Sequence, residues 1–127
     1  MAYQRLCPSP PRILVVEDEV LVALTISDML EEFGCEVVGP VGGVAAACAL
    51  LNSGAALPGA AVLDCNLGRE MVWPVADALA ARAVPFLFST AYGIAGVEPR
   101  FAKAPVVTKP FDILDLKSAL ALLIELR

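Results

Sequence analysis

The sequence contains no histidine, and its four cysteines, Cys7, Cys35, Cys48 and Cys65, form no Cys-x-x-Cys pair. A zinc site built from cysteine and histidine therefore lacks its ligands. A disulfide framework suits small domains with too little core, and this chain is 58% hydrophobic. The cysteines read as reduced, small apolar residues of a cytoplasmic protein. Charge is also sparse: 18% of residues are charged, the net charge is −5, and the nine Lys and Arg are scattered. Nucleic-acid binding needs cations clustered against phosphates, so no direct nucleic-acid contact is expected. No uncharged apolar run reaches the ~18 residues of a membrane span. The opening MAYQRLCPSPP lacks the apolar core of a signal peptide.

What is present is one domain's worth of alternating apolar segments. At 127 residues the chain has room for a single core. Residues 1–11 read as a flexible arm and residues 12–127 as the domain. Arg12–Val16 is an aliphatic run suited to a strand buried on both faces. Val20 to Phe33 switches to helical spacing, with Val22, Ile26, Met29, Leu30 and Phe33 on one stripe and Gly34 placed to stop it. Cys35–Gly39 is a second strand, ended by Pro40, and Gly42–Leu51 is an Ala-rich helix. Gly59–Leu63 is a third strand, running into Asp64. Trp73–Ala83 is a helix with Pro74 in its first turn. Pro85–Ser89 is a fourth strand, ending at Thr90, and Val106–Thr108 a fifth, ending at Lys109-Pro110. Asp112, with Asp115 three residues on, caps a last helix running to about Leu126. The glycines and prolines of Tyr92–Pro105 argue against a full fourth helix.

Five alternations of strand and helix predict an α/β, doubly wound five-stranded parallel sheet with helices on both faces. In such a sheet the carboxyl ends of all strands lie on one edge, where ligands bind. Glu17, Asp18, Asp64, Thr90 and Lys109 all close strands. Each has a plainer reading alone: an acidic run at a helix start, a turn residue, a strand-end hydroxyl, a solvated lysine. Their joint placement points to chemistry. Three carboxylates brought together require a counter-charge, which Mg²⁺ and a lysine can supply. A carboxylate nucleophile flanked by a cation and an ammonium is the arrangement that phosphoryl transfer needs.

The segments ILVVEDE (Ile13–Glu19), AVLDCNLG (Ala61–Gly68), FLFSTAYG (Phe86–Gly93) and VVTKPF (Val106–Phe111) resemble the receiver domain of bacterial two-component response regulators. FLFSTAYG also resembles the Phe-Ala-Thr-Gly-X-Tyr-like motif of an alphaproteobacterial single-domain subgroup, with Ser89 and Ala91 in place of its Ala and Gly. The resemblance implies a flavodoxin-like strand order of 2-1-3-4-5. Asp64 would be the phosphoacceptor; Glu17, Asp18, Asp64 and the backbone carbonyl of Asn66 would hold Mg²⁺. Thr90 and Lys109 would engage the phosphoryl group, beside the small residue Ala91, and the Lys109–Pro110 peptide would be cis. Val106 stands where the family's switching aromatic usually lies, which turns attention to Tyr92 and the Tyr92–Pro105 loop as readout. The usual proline-containing turn after the phosphoacceptor is replaced by Leu67-Gly68-Arg69-Glu70. The implied partners are a sensor histidine kinase or phosphotransfer protein and a downstream protein target, with a homodimer through the last helix as a further option. The chain reads as either a stand-alone regulator or part of a longer one. Two other readings stay open: a phosphatase of the haloacid-dehalogenase type, which would want an Asp where Asn66 stands, and a degenerate receiver that only binds partners.

Overall fold

The computed structural model describes residues 9–126. Five parallel strands form one sheet: β1 (Arg12–Val16), β2 (Glu36–Val41), β3 (Ala60–Asp64), β4 (Phe86–Thr90) and β5 (Val106–Thr108). The spatial order is β2-β1-β3-β4-β5, as expected from the resemblance. Four helices connect or follow them: α1 (Val20–Glu32), α2 (Val44–Leu51), α3 (Trp73–Ala81) and α4 (Ile113–Ala121).

Strand alternation explains why the sheet is covered on both sides. Leu14, Val16, Ala61, Leu63 and Phe88 face a core completed by Ala47 and Leu51 of α2 and Val75, Ala76 and Leu79 of α3. Their neighbours Ile13, Val15, Ala60, Val62, Leu87 and Val107 face the opposite core, completed by Ile26 and Leu30 of α1 and Leu116 and Leu120 of α4. The apolar stripe read in α1 is this contact. Gly34 follows α1 at φ 83. The amides of Gly34 and Cys35 donate to the carbonyls of Glu31 and Leu30 at 3.0 Å each, the Schellman arrangement that ends a helix.

Several boundaries differ from expectation. Pro40 does not end β2. As an edge strand β2 pairs only with β1, so a residue without an N–H is tolerated on its open side. The β1–β2 register shifts after Leu14, and the strand runs on to Val41, whose carbonyl accepts from the Glu17 amide at 2.9 Å. The peptides Gly39–Pro40 and Lys109–Pro110 are both cis. Helix α3 stops at Ala81, because Ala83 takes a left-handed φ of 57 and the Val84 amide closes back on Leu79 at 2.9 Å. Helix α4 stops at Ala121 rather than near Leu126. Its Asp112–Asp115 capping box is formed, but its last turn tightens through bonds from Leu122 to Ala119 and from Leu123 to Leu120. The expected arm over residues 1–11 falls mostly outside the described residues. Just before β1, the Pro11 carbonyl accepts from the Glu36 amide at 2.8 Å.

The fourth crossover contains no α-helix. Two short 3₁₀ turns, Gly93–Gly96 and Pro99–Phe101, take its place. The second is anchored: Phe101 stacks on Trp73 at 5.8 Å between ring centres, and Arg100 pairs with Asp77 and Glu98 while its guanidinium lies over Phe101. The first turn buries no residue. Where a proline-containing turn was missing, Asn66–Leu67 and Glu70–Met71 pair as a small antiparallel ribbon. Gly68 leads its two-residue turn at φ 76, the glycine position of a primed hairpin turn.

Candidate functional site

The strand ends deliver the expected side chains to one edge. Oxygen atoms of Glu17, Asp18 and Asp64 lie within 4.8 Å of one another. Glu17 and Asp64 are buried, 3% and 7% exposed, whereas Asp18 opens to solvent. Lys109 Nζ sits between the two buried carboxylates, 2.8 Å from Glu17 Oε1 and 3.2 Å from Asp64 Oδ2. Its main pairing is thus with Glu17, a contact the resemblance did not imply. The other oxygen of Asp64 accepts from the Asn66 amide at 3.2 Å. The Lys109 amide donates to the Thr90 carbonyl at 2.8 Å, which ties the ends of β4 and β5 together.

Burial and the adjacent Asp64 push the Glu17 carboxyl above its ordinary 4.5, with Lys109 acting against the shift. Burial works against the Lys109 ammonium, but its hydrogen bond to Glu17 and the nearby Asp64 outweigh this and raise its value above 10.5. The directions agree: two carboxylates compete for one ammonium. Cys65, next along the chain, has its thiol pushed up to about 12, first by burial and then by Asp64, and is a poor nucleophile. Glu17 and Asp18 are not helix-capping acids. Glu19 is the N-cap of α1, it makes no side-chain cap bond, and the first turn holds no acidic residue.

Thr90 is buried, and its Oγ1 accepts from the Tyr92 amide at 3.1 Å. Ala91 is exposed. Tyr92 is 73% exposed and Ile94 77% exposed. Val106, at the missing aromatic position, pairs with Phe88 and is half-buried against the α2/α3 core. Asp18, Glu19, Asp64, Asn66, Gly68, Thr90, Ala91, Tyr92 and Lys109 line a pocket of about 410 Å³. Pro110 lies outside it, in an apolar hollow of about 520 Å³ shared with Leu21, Val22, Thr25, Ile26, Met29 and Phe111.

Two neighbours of the site went unread in the sequence. A Cβ on Gly96 would stand 2.5 Å from Thr90 Oγ1. Glu70 reaches 26 residues back along the chain, its Oε2 accepting from the Val44 amide at 3.1 Å. The glycine-rich loop hinted at the first; no local signal marks the second. Ser89, by contrast, is fully buried beside Thr90, and its hydroxyl has no partner among the described residues.

No family model matches the chain. Among solved structures it is similar to SdrG from Sphingomonas melonis Fr1, with a TM-score of 0.80 and 43% identity over 92% of this chain and 98% of that one. The BeF3-activated conformation of SdrG from Pseudomonas melonis Fr1 matches at a TM-score of 0.75 and 45% identity, over 89% of this chain and 96% of that one. The response regulator PhyR from Brucella abortus matches at 0.77 and 28% identity, over 90% of this chain but 47% of its own length. The transcriptional regulatory protein PdtaR of Mycobacterium tuberculosis is 29% identical over 120 residues, 91% of this chain and 58% of that protein. The chain thus spans less than two-thirds of the curated relatives it matches. No helix among the described residues is long and apolar enough to cross a membrane.

Proposed function

Because the chain belongs to the response-regulator receiver family, we propose that Asp64 accepts a phosphoryl group from a histidine kinase or phosphotransfer protein and that the domain then signals to a protein target. The observation that carries this is the meeting of Glu17, Asp18, Asp64 and Lys109 at the carboxyl edge of the sheet. In the proposed step an Asp64 carboxylate oxygen attacks phosphorus. The phosphorus–nitrogen bond of the phosphohistidine breaks, its electron pair returns to the imidazole, and an acyl phosphate remains.

Lys109 is held by Glu17 within reach of Asp64, where its charge offsets that of the incoming phosphoryl oxygens. Three clustered carboxylates with one ammonium form an all-oxygen, net-negative donor set, which suits Mg²⁺. Glu17, Asp18 and Asp64, with the Asn66 carbonyl, would hold it. Once bound, it neutralises charge on the phosphoryl oxygens. Thr90 Oγ1, now accepting from the Tyr92 amide, would turn to donate to the phosphoryl group and free the Gly93–Gly96 turn. This is a population shift between two arrangements of that turn, driven by the new contact.

A protein donor would find apolar surface on α1, where Val20, Leu21 and Leu24 are exposed and Leu21 lines the apolar hollow. Along α4 and its C-cap the apolar excess reduces to Leu114 and the capping Leu122, 67% and 76% exposed, while Leu116 and Leu120 serve the core. The chain acts in this reading as an acceptor in the cytoplasm, without turnover of an external substrate. Incubation with acetyl phosphate or phosphoramidate and Mg²⁺, read by intact mass, tests it. Wild type should gain one phosphoryl group and Asp64→Asn none. An unmodified wild type at every Mg²⁺ concentration would overturn the reading.

A further inference from the structure

We infer that Glu70 is a positioning residue for the cation site, clasping the Asn66–Met71 ribbon to the start of α2 so that the ribbon sits correctly against Asp18. The inference rests on the function proposed above. A ribbon of two residues per strand has little stability alone. Its base is closed by the Val72 amide on the Cys65 carbonyl at 3.0 Å. Its outer strand is tied down by Glu70, through the 3.1 Å bond from the Val44 amide.

The receiving end is prepared for this. The N-cap of α2 is Gly43, which has no side chain to satisfy the first amides of the helix. Glu70 takes the place of a serine or aspartate cap, and its charge is favourable at a helix start. The ligand candidate Asp18 lies between the two joined segments. A Cβ on Gly42 would stand 3.6 Å from Asp18 Cα, and one on Gly68 would stand 3.5 Å from Asp18 Oδ2. The clasp therefore encloses the exposed member of the carboxylate cluster, and the strand that Glu70 pairs with also carries the Asn66 carbonyl. Loosening it should degrade cation binding through geometry while leaving Glu17, Asp18 and Asp64 in place.

The test is Mg²⁺ titration followed by NMR on the amides of Asn66 and Gly68, without a phosphodonor. Glu70→Ala should bind Mg²⁺ about fivefold more weakly, the factor that one net hydrogen bond supplies. Glu70→Gln keeps an acceptor for Val44 and should stay within about twofold of wild type. Val44→Pro removes the donor and leaves the Glu70 charge. Proline is tolerated at the first helical position, and Gly43 before it is already extended. It should weaken Mg²⁺ as Glu70→Ala does. Wild-type affinity in Glu70→Ala or Val44→Pro would overturn the clasp, even if either variant unfolds more easily. A Glu70→Gln as weak as Glu70→Ala would overturn it in favour of through-space charge. A wild type that ignores Mg²⁺ would instead bring down the cation site itself, a separate failure.

Discussion

Gly96→Ala offers a direct test of how the site is coupled to its loop. The Gly96 backbone is not in the left-handed region, so alanine can adopt it and only the added methyl acts. That methyl would stand 2.5 Å from Thr90 Oγ1 and 3.2 Å from Tyr92 Cβ. The first distance is well inside van der Waals contact, and Thr90 Oγ1 can leave it only by giving up the bond it accepts from the Tyr92 amide. Overpacking of this kind costs about 1–3 kcal/mol. At a urea slope of about 2 kcal/mol/M, a loss of about 2 kcal/mol lowers the unfolding midpoint by about 1 M. If Thr90 Oγ1 turns toward a phosphoryl group, the closest contact disappears and the penalty shrinks. Beryllofluoride, as a phosphoryl mimic on Asp64, should therefore restore most of the lost stability. By reciprocity, a recovery of about 1.4 kcal/mol corresponds to beryllofluoride binding about tenfold tighter to the variant. Urea titrations with and without beryllofluoride decide it. Equal losses in both states, or no loss in either, would refute the coupling of Thr90 to the Gly93–Gly96 turn.

Two further outcomes concern the buried polar groups. The Glu17 carboxyl is raised above 4.5 in the fold. As pH rises from that value the unfolded chain loses its proton first, ionisation favours unfolding, and stability falls until the folded group has also ionised. Glu17→Gln should lack this step in a pH series of urea midpoints measured without Mg²⁺, yet bind Mg²⁺ more weakly; an unchanged pH profile would contradict the assignment. Ser89→Ala should stabilise the protein by about 1 kcal/mol, since it removes a fully buried hydroxyl that has no partner among the described residues, and a lower unfolding midpoint would show that Ser89 is satisfied in solution.

The parts of the fold legible in the sequence were those written locally. Ile13–Val16 is apolar throughout and followed directly by acids, which is what the carboxyl end of a central strand looks like; its side chains are at most 1% exposed. The Asp112–Asp115 box and Gly34 mark helix ends through contacts spanning a few residues. Pro40 misled because its effect depends on whether the strand is an edge, a property of the assembled sheet. The end of α3 was hidden because Ala83 takes a conformation usually left to glycine. The site residues could be named from their positions at strand ends, but not their partners. That Lys109 binds Glu17 more closely than Asp64, or that Glu70 reaches Val44, depends on segments far apart in sequence.

The wall shared by pocket and loop has a consequence for how long a signal would last. Ala91 and Tyr92 line the same pocket as Asp64 and Lys109, and beyond Val97 the crossover is pinned through Phe101 and Arg100. If Asp64 is phosphorylated as proposed, a target reading it through Tyr92 would sit at the mouth of the pocket itself. A target gripping Tyr92 would cover that mouth and shield an acyl phosphate from hydrolysing water, while denying the donor its approach. Reading the mark and preserving it would be one event, and the persistence of the phosphorylated form would depend on how much target is present.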